Sequence, residues 1–270
     1  MCTDAAQAAS RVVSLNPCLD TVLVHIAARD QIAGLSHYAR QPGASTITDV
    51  ALTLPYTYET AEEVIALNPD LVLTSRHSSL ATRNALARLS IRAELFDVPE
   101  SVEASIAQIR RIAALIDRVQ AGEEMIAGIE AALDAAQPPH GTPPITALVF
   151  QRNGFAAGKG TLVDELLSLT GFVNVAGHYG VGHGDFGKWG IVPLEDVIFN
   201  PPQVLLAGEP SPGTPIWADR VLMHPALKRI SHRMVRAAFP DELLYCGGPV
   251  LIQSTAALVK ARNQVLGVAP

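Results

Sequence analysis

The sequence predicts an α/β fold: two lobes, each with a small parallel sheet flanked by helices, joined by one long backbone helix. Three observations carry this. Short apolar runs bounded by turn residues alternate with segments of helical period, the pattern of a parallel sheet with crossover helices. A proline-free stretch near the middle keeps apolar residues at three- and four-residue steps for longer than one small lobe needs. One local theme also occurs once in each half, EEVIALNPDLVLTS at 62–75 and EDVIFNPPQVLLAG at 195–208.

In chain order, RVVSL at 11–15 reads as a strand, broken by Asn16-Pro17, with a helix from Asp20 onward. QIAGL at 31–35 is a second strand, followed by a polar loop at 36–46. AEEVIAL at 61–67 is a helix stopped by Asn68-Pro69, because the residue before proline is pushed out of the helical region. DLVLT at 70–74 is a buried strand, 82–89 a helix and 93–96 a strand. The periodic stretch then runs from Ser101 to about Ala136. As one helix it would be roughly 50 Å long, more than a small lobe can use. PPHGTPP at 138–144 closes it as a stiff linker. A second α/β set follows: strands at 145–150, 203–207 and 234–237, and helices at 161–169, 193–199, 225–229 and 250–266. The domain reading is a processed or disordered start at 1–10, an N-terminal lobe at 11–100, the backbone helix at 101–137 and a C-terminal lobe at 138–270.

Composition narrows the function. The 49% hydrophobic content suffices for full cores, and no run approaches the ~20 apolar residues that span a bilayer. A net charge of −6 argues against a nucleic-acid partner, which calls for a basic face. Cys2, Cys18 and Cys246 form neither a CxxC nor a zinc-finger spacing. The start, MCTDAAQAAS, lacks a basic segment and an apolar core, while its Ala-rich part resembles the end of a signal peptide. The export signal is therefore expected upstream of this start or already removed.

Four stretches, in order, resemble the cobalamin and iron-siderophore class of periplasmic substrate-binding proteins of ABC importers, the class with a helical backbone. They are RVVSLNPCLDTVL, EEVIALNPDLVLTS, LVFQRNGFAAGKGTLVDELLSLTGFVNVA and VPLEDVIFNPPQVLLAG. The resemblance implies a periplasmic, non-enzymatic, monomeric protein. It would capture a ferric siderophore or a cobalamin-like corrinoid in the interlobe cleft and hand it to the permease and ATPase complex in the inner membrane. It implies no cofactor and no resident metal. The alternatives are import of haem or of free Zn²⁺ or Mn²⁺, and an enzyme on a related two-lobed scaffold. The class presents a surface glutamate on each lobe to its permease. Glu209 is the C-terminal candidate, and Glu59 stands in where 78–83 reads SSLATR.

Ligands of open α/β sheets sit outside the carboxyl ends of the strands, which nominates loops without any homology. Arg40, Arg76, Arg152 and Lys188 fall in those loops and would favour an anionic ligand. So do Tyr38, Phe155, Tyr179, Phe186, Trp189 and Trp217, which suit flat or aryl-bearing ligands. His178, His183 and Asp185 lie in a glycine-rich loop, with His77 in the other lobe; hydrogen bonding or lid closure suits that loop better than a rigid metal shell. Cys18 and Cys246 occupy one cleft loop in each lobe. Two semi-buried thiols, an interlobe disulfide and a soft-ligand pair all fit them. The expected ligand set is Cys18, Tyr38, Arg40, Arg76, His77, Arg152, Phe155, His183, Trp189, Trp217 and Cys246. Gly158-Lys159-Gly160-Thr161 imitates a phosphate-binding loop but has Asn at 153 and Gly after the lysine; Thr161 reads better as a helix N-cap.

Overall fold

The computed structural model describes residues 8–182, 188–208 and 217–267. These fall into two compact units. Unit 1 comprises residues up to Pro99 with Glu103–Ile129 and Cys246–Val250; unit 2 comprises Glu100–Val102, Glu130–Tyr245 and the segment from Leu251.

In unit 1, β1 (Val12–Ser14) leads into α1 (Pro17–Ile26), whose start is fixed by Asn16. The Asn16 side chain accepts hydrogen bonds from the Cys18 and Leu19 N–H groups, and Pro17 occupies the first turn, where no N–H is needed. There follow β2 (Ile32–Ser36), α2 (Thr48–Ala51), β3 (Tyr56–Thr57), α3 (Ala61–Ala66), β4 (Leu71–Ser75), α4 (Leu80–Arg88) and β5 (Ala93–Phe96). The strands form one parallel sheet in the order β3-β2-β1-β4-β5. Val13, Leu15, Ala33, Val64, Val72 and Leu86 form a core between this sheet and its helices. Asn68 ends α3 with φ 49°, so the Asn-Pro stop works through a left-handed residue.

The stretch expected to be one helix is two. α5 (Val102–Leu115) and α6 (Val119–Ala136) are separated by a tight turn. Asp117 takes φ 54°, and the Arg118 N–H reaches back to the Ala113 carbonyl at 2.8 Å, a helix-closing geometry usually given to glycine. α6 then folds back along α5. Arg110 forks onto Glu123 at 2.8 and 3.0 Å, and a Cβ added at Gly122 would lie 2.6 Å from the Ala113 Cβ. The chain passes from unit 1 to unit 2 within α6, between Ile129 and Glu130. At 18 residues, α6 is about 27 Å long, half the expected connector.

Unit 2 contains β6 (Ile145–Phe150), β7 (Phe155–Ala157), α7 (Leu162–Leu169), β8 (Phe172–Asn174), β9 (Trp189–Ile191), α8 (Leu194–Phe199), β10 (Val204–Ala207), α9 (Pro225–Arg229), β11 (Val235–Ala238) and α10 (Val250–Leu266). Its main sheet is parallel, in the order β11-β10-β6-β8, and β7 and β9 pair antiparallel. Thr161 caps α7 by accepting from the Asp164 N–H, as its position after Gly160 predicts. Leu148, Phe150, Val197, Leu205 and Leu227 lie in the buried core of this unit. The short strands β3, β7, β8 and β9 leave too few residues to show a period, and the sequence pattern missed them.

Candidate functional site

In unit 1 four strands end on hydroxyl residues: Ser14, Ser36, Thr57 and Ser75, all buried. Asp20, from the first turn of α1, is fully buried among them. Its Oδ2 accepts from Ser36 Oγ at 2.5 Å and its Oδ1 from the Ser36 N–H at 3.2 Å. Burial pushes its pKa up to about 7, against the opposing hydrogen bonds from Ser14 and Ser36. Beside it, His37 Nδ1 lies 3.5 Å from Glu59 Oε1, and its ring lies 3.9 Å from that of Tyr38 and 5.1 Å from that of Tyr58. Tyr38 and Tyr58 are exposed. Glu59 was expected to be a surface carboxylate for docking. Its side chain is only 15% exposed, it faces His37, and burial raises its pKa. Its backbone is pinned by Thr57 and Thr82 in a left-handed turn, φ 69°.

Arg40 was expected to meet an anionic ligand. Its guanidinium instead donates to the Ala51 and Leu54 carbonyls at 3.1 and 2.6 Å and lies 3.8 Å above the Tyr56 ring. Arg76, also expected to be free, pairs with Asp97 at the surface, and His77 is exposed beside it. Cys18 and Cys246 form a disulfide. Both belong to unit 1, so the bridge is not between lobes, and neither sulfur is available as a thiol or soft ligand. A cavity of about 10 Å³ beside Cys18 has room for one water and none for a chelate.

In unit 2 the segments after β6, β10 and β11 bring Arg152, Asp219 and Asp241 together. Asn153 (φ 57°) and Gly154 (φ 77°) turn the chain directly after Arg152; a Cβ on Gly154 would lie 2.5 Å from the Val192 carbonyl oxygen, so only glycine fits. Arg152 Nε lies 3.0 Å from Asp219 Oδ1, and its Nη1 3.3 Å from Asp241 Oδ2. Asp219 is fully buried. Burial raises the Asp241 pKa, with Arg152 pulling the other way. This arginine, too, is engaged rather than free. Gln151 holds the ends of neighbouring segments by accepting from the Gly208 N–H and donating to the Phe239 carbonyl, both at 3.1 Å.

The same edge carries an aromatic face. Phe155 and Trp189 stack with centroids 5.2 Å apart and planes 6° apart, held there by the β7–β9 pairing. Tyr245 joins them at 6.4 and 6.0 Å. Its phenol pKa is raised by burial first and by the charge of Asp241 second, with Arg152 opposing. Tyr179 is turned inward, its hydroxyl donating to the Asn200 carbonyl at 2.5 Å. Lys188 pairs with Glu100 at 2.6 Å. Trp217 is 72% exposed and stands apart from the trio. His183, Asp185, Phe186 and Glu209 lie outside the described residues. Sequence reasoning missed His37, Tyr58, Tyr245, Asp219 and Asp241. Tyr58 follows a two-residue strand, and the two aspartates are defined only by their shared partner, Arg152.

The sequence profile described as periplasmic binding protein matches residues 12–231. No curated protein sequence matches significantly. Among solved structures the chain is similar to the periplasmic heme-binding protein RhuT from Roseiflexus sp. RS-1, at 23% identity, covering 93% of this chain and 98% of that one, with a TM-score of 0.71. It is similar to the periplasmic vitamin B12 binding protein BtuF of Vibrio cholerae, at 16% identity, 96% and 98% coverage and a TM-score of 0.68. Helicobacter pylori CeuE, solved with Ni(II) bound, gives 20% identity, 97% and 86% coverage and a TM-score of 0.71. At these identities the structures establish a shared fold, and the profile, which spans most of the chain, establishes the lineage: this chain belongs to the periplasmic binding protein family.

Proposed function

We propose that this protein is the solute-binding subunit of an ABC importer, that it works in the periplasm, and that it captures a metal chelate or corrinoid and delivers it to a permease. The carrying observation is the Phe155–Trp189–Tyr245 face at the carboxyl edge of the unit 2 sheet, where open α/β sheets take their ligands. A flat ring system finds large, rigid contact area there at little entropic cost. The solved relatives named for heme, vitamin B12 and Ni(II) support the same ligand class. The Cys18–Cys246 disulfide agrees with an oxidising compartment. Among the described residues no three His, Cys, Asp or Glu side chains gather to hold a metal.

Tryptophan fluorescence tests the proposal, with a Trp217→Phe variant so that Trp189 alone reports. Cyanocobalamin, hemin or a ferric siderophore should quench it with a Kd of about 1 µM or tighter, and Zn²⁺ should not. No response to any chelate would sink the reading.

A further inference from the structure

All Lys and Arg residues of this chain lie in the described part, so the partners of the four nominated as ligand contacts can be named. The four cations that chain position placed at the strand ends are all engaged. Arg40 is tied to two carbonyls and a tyrosine ring, Arg76 to Asp97, and Lys188 to Glu100. Arg76 and Lys188 sit in exposed pairs that could exchange partners. Arg152 cannot do so cheaply. It is shared between a fully buried carboxylate, Asp219, and a second one, Asp241, and moving it would give up its contacts to both.

One guanidinium against two carboxylates leaves an excess of negative charge, to which Glu242 adds. Among the described residues Asp241 Oδ1 has no hydrogen-bond partner, and Arg152 is the one described cation paired with this carboxylate. Were Asp241 protonated, the Arg152–Asp219 pair would still carry no net positive charge. The cluster and the aromatic face are built from the same two segments: Arg152 precedes Phe155 by three residues across a tight turn, and Asp241 precedes Tyr245 by four. Aromatic faces themselves attract cations and repel anions.

We infer that the Phe155–Trp189–Tyr245 face takes an uncharged or cationic chelate, with the Asp219–Arg152–Asp241 cluster beside it acting as a filter against anionic ones. This rests on the proposed chelate-binding role and reverses the ligand charge that the arginines suggested in the sequence.

The test is a charge series on the intact protein, titrated at low and high ionic strength: ferrioxamine B as a cationic chelate, cyanocobalamin as a neutral one, hemin and ferric citrate as anionic ones. The expected result is that the best ligand comes from the first two, at least about tenfold tighter than either anion. Added salt should weaken ferrioxamine B and leave cyanocobalamin unchanged. Asp241→Asn, isosteric and checked for folding by circular dichroism, should cut ferrioxamine B affinity about 3–10-fold and spare cyanocobalamin. Tighter binding of hemin or ferric citrate, weakened by salt, would overturn the inference while leaving the chelate-binding role intact. So would loss of that anion binding in Lys159→Ala, which would move recognition to the turn before α7. Failure of all four ligands would overturn the chelate-binding role itself, and the inference with it.

Discussion

A carboxyl group with no solvent exposure, Asp20 keeps two hydrogen bonds from Ser36 but gives up the hydration that a charge requires. Its pKa rises from the ordinary 3.8 to about 7. The folded state therefore holds the proton more tightly than the unfolded chain, and the resulting stability is present below pH 3.8 and lost as pH rises through about 7. Asp20→Asn keeps an acceptor for the Ser36 N–H and reverses the second hydrogen bond, its amide donating to the Ser36 hydroxyl, without the charge. Above pH 7 it should be more stable than the wild type by about 4 kcal/mol in urea unfolding, with the gap closing towards pH 3.8. At the other site the side chain that matters is Trp189. Trp189→Ala should weaken chelate binding about tenfold or more, while Trp217→Ala should change it little, as isothermal titration would show. Trp189 and Phe155 could be read from the sequence because aromatics are scarce and both follow strand positions. That the charged neighbours were spent on each other could not. Arg152 names no partner, and Asp219 and Asp241 arrive from segments 67 and 89 residues further along.

Secondary elements were legible wherever period or punctuation was strong. β5, β6, α9 and α10 stand at their expected bounds, and the repeated Asn-Pro theme closes α3 and α8 before β4 and β10. The turn between α5 and α6 escaped notice because Ile112, Ile116 and Val119 keep helical spacing across it and neither glycine nor proline marks it. Asp117 supplies the left-handed residue instead, which aspartate tolerates better than most side chains. Gly122 was visible as a glycine inside a helical pattern, and the structure gives its reason: α5 and α6 approach too closely for a Cβ. Gly122→Ala should therefore cost about 1–3 kcal/mol in thermal or urea unfolding, despite alanine's better helix propensity. Adding Ala113→Gly should recover part of the loss. An alanine at 122 that stabilises the protein would contradict this packing.

The whole chain follows the order its four family-like stretches suggest, and the family profile runs from β1 to the residues just after α9. The resemblance conveyed the kind of protein well. The pairing of Cys18 with Cys246 needed the structure, since two cysteines 228 positions apart say nothing of their distance in space. A crosslink closing so long a loop restricts the unfolded chain strongly. Cys18→Ser with Cys246→Ser, or reduction of the wild type, should lower stability by about 3–5 kcal/mol, measured as a fall in the urea midpoint. The same bond changes what a protease can accomplish. Most of the backbone, including the proline-rich stretch at 138–144, lies inside a covalent ring closed through sulfur. A single cut within that ring opens it without liberating a fragment, so a nicked molecule stays in one covalent piece, with Phe155, Trp189 and Tyr245 still joined, until a reductant reaches the sulfurs.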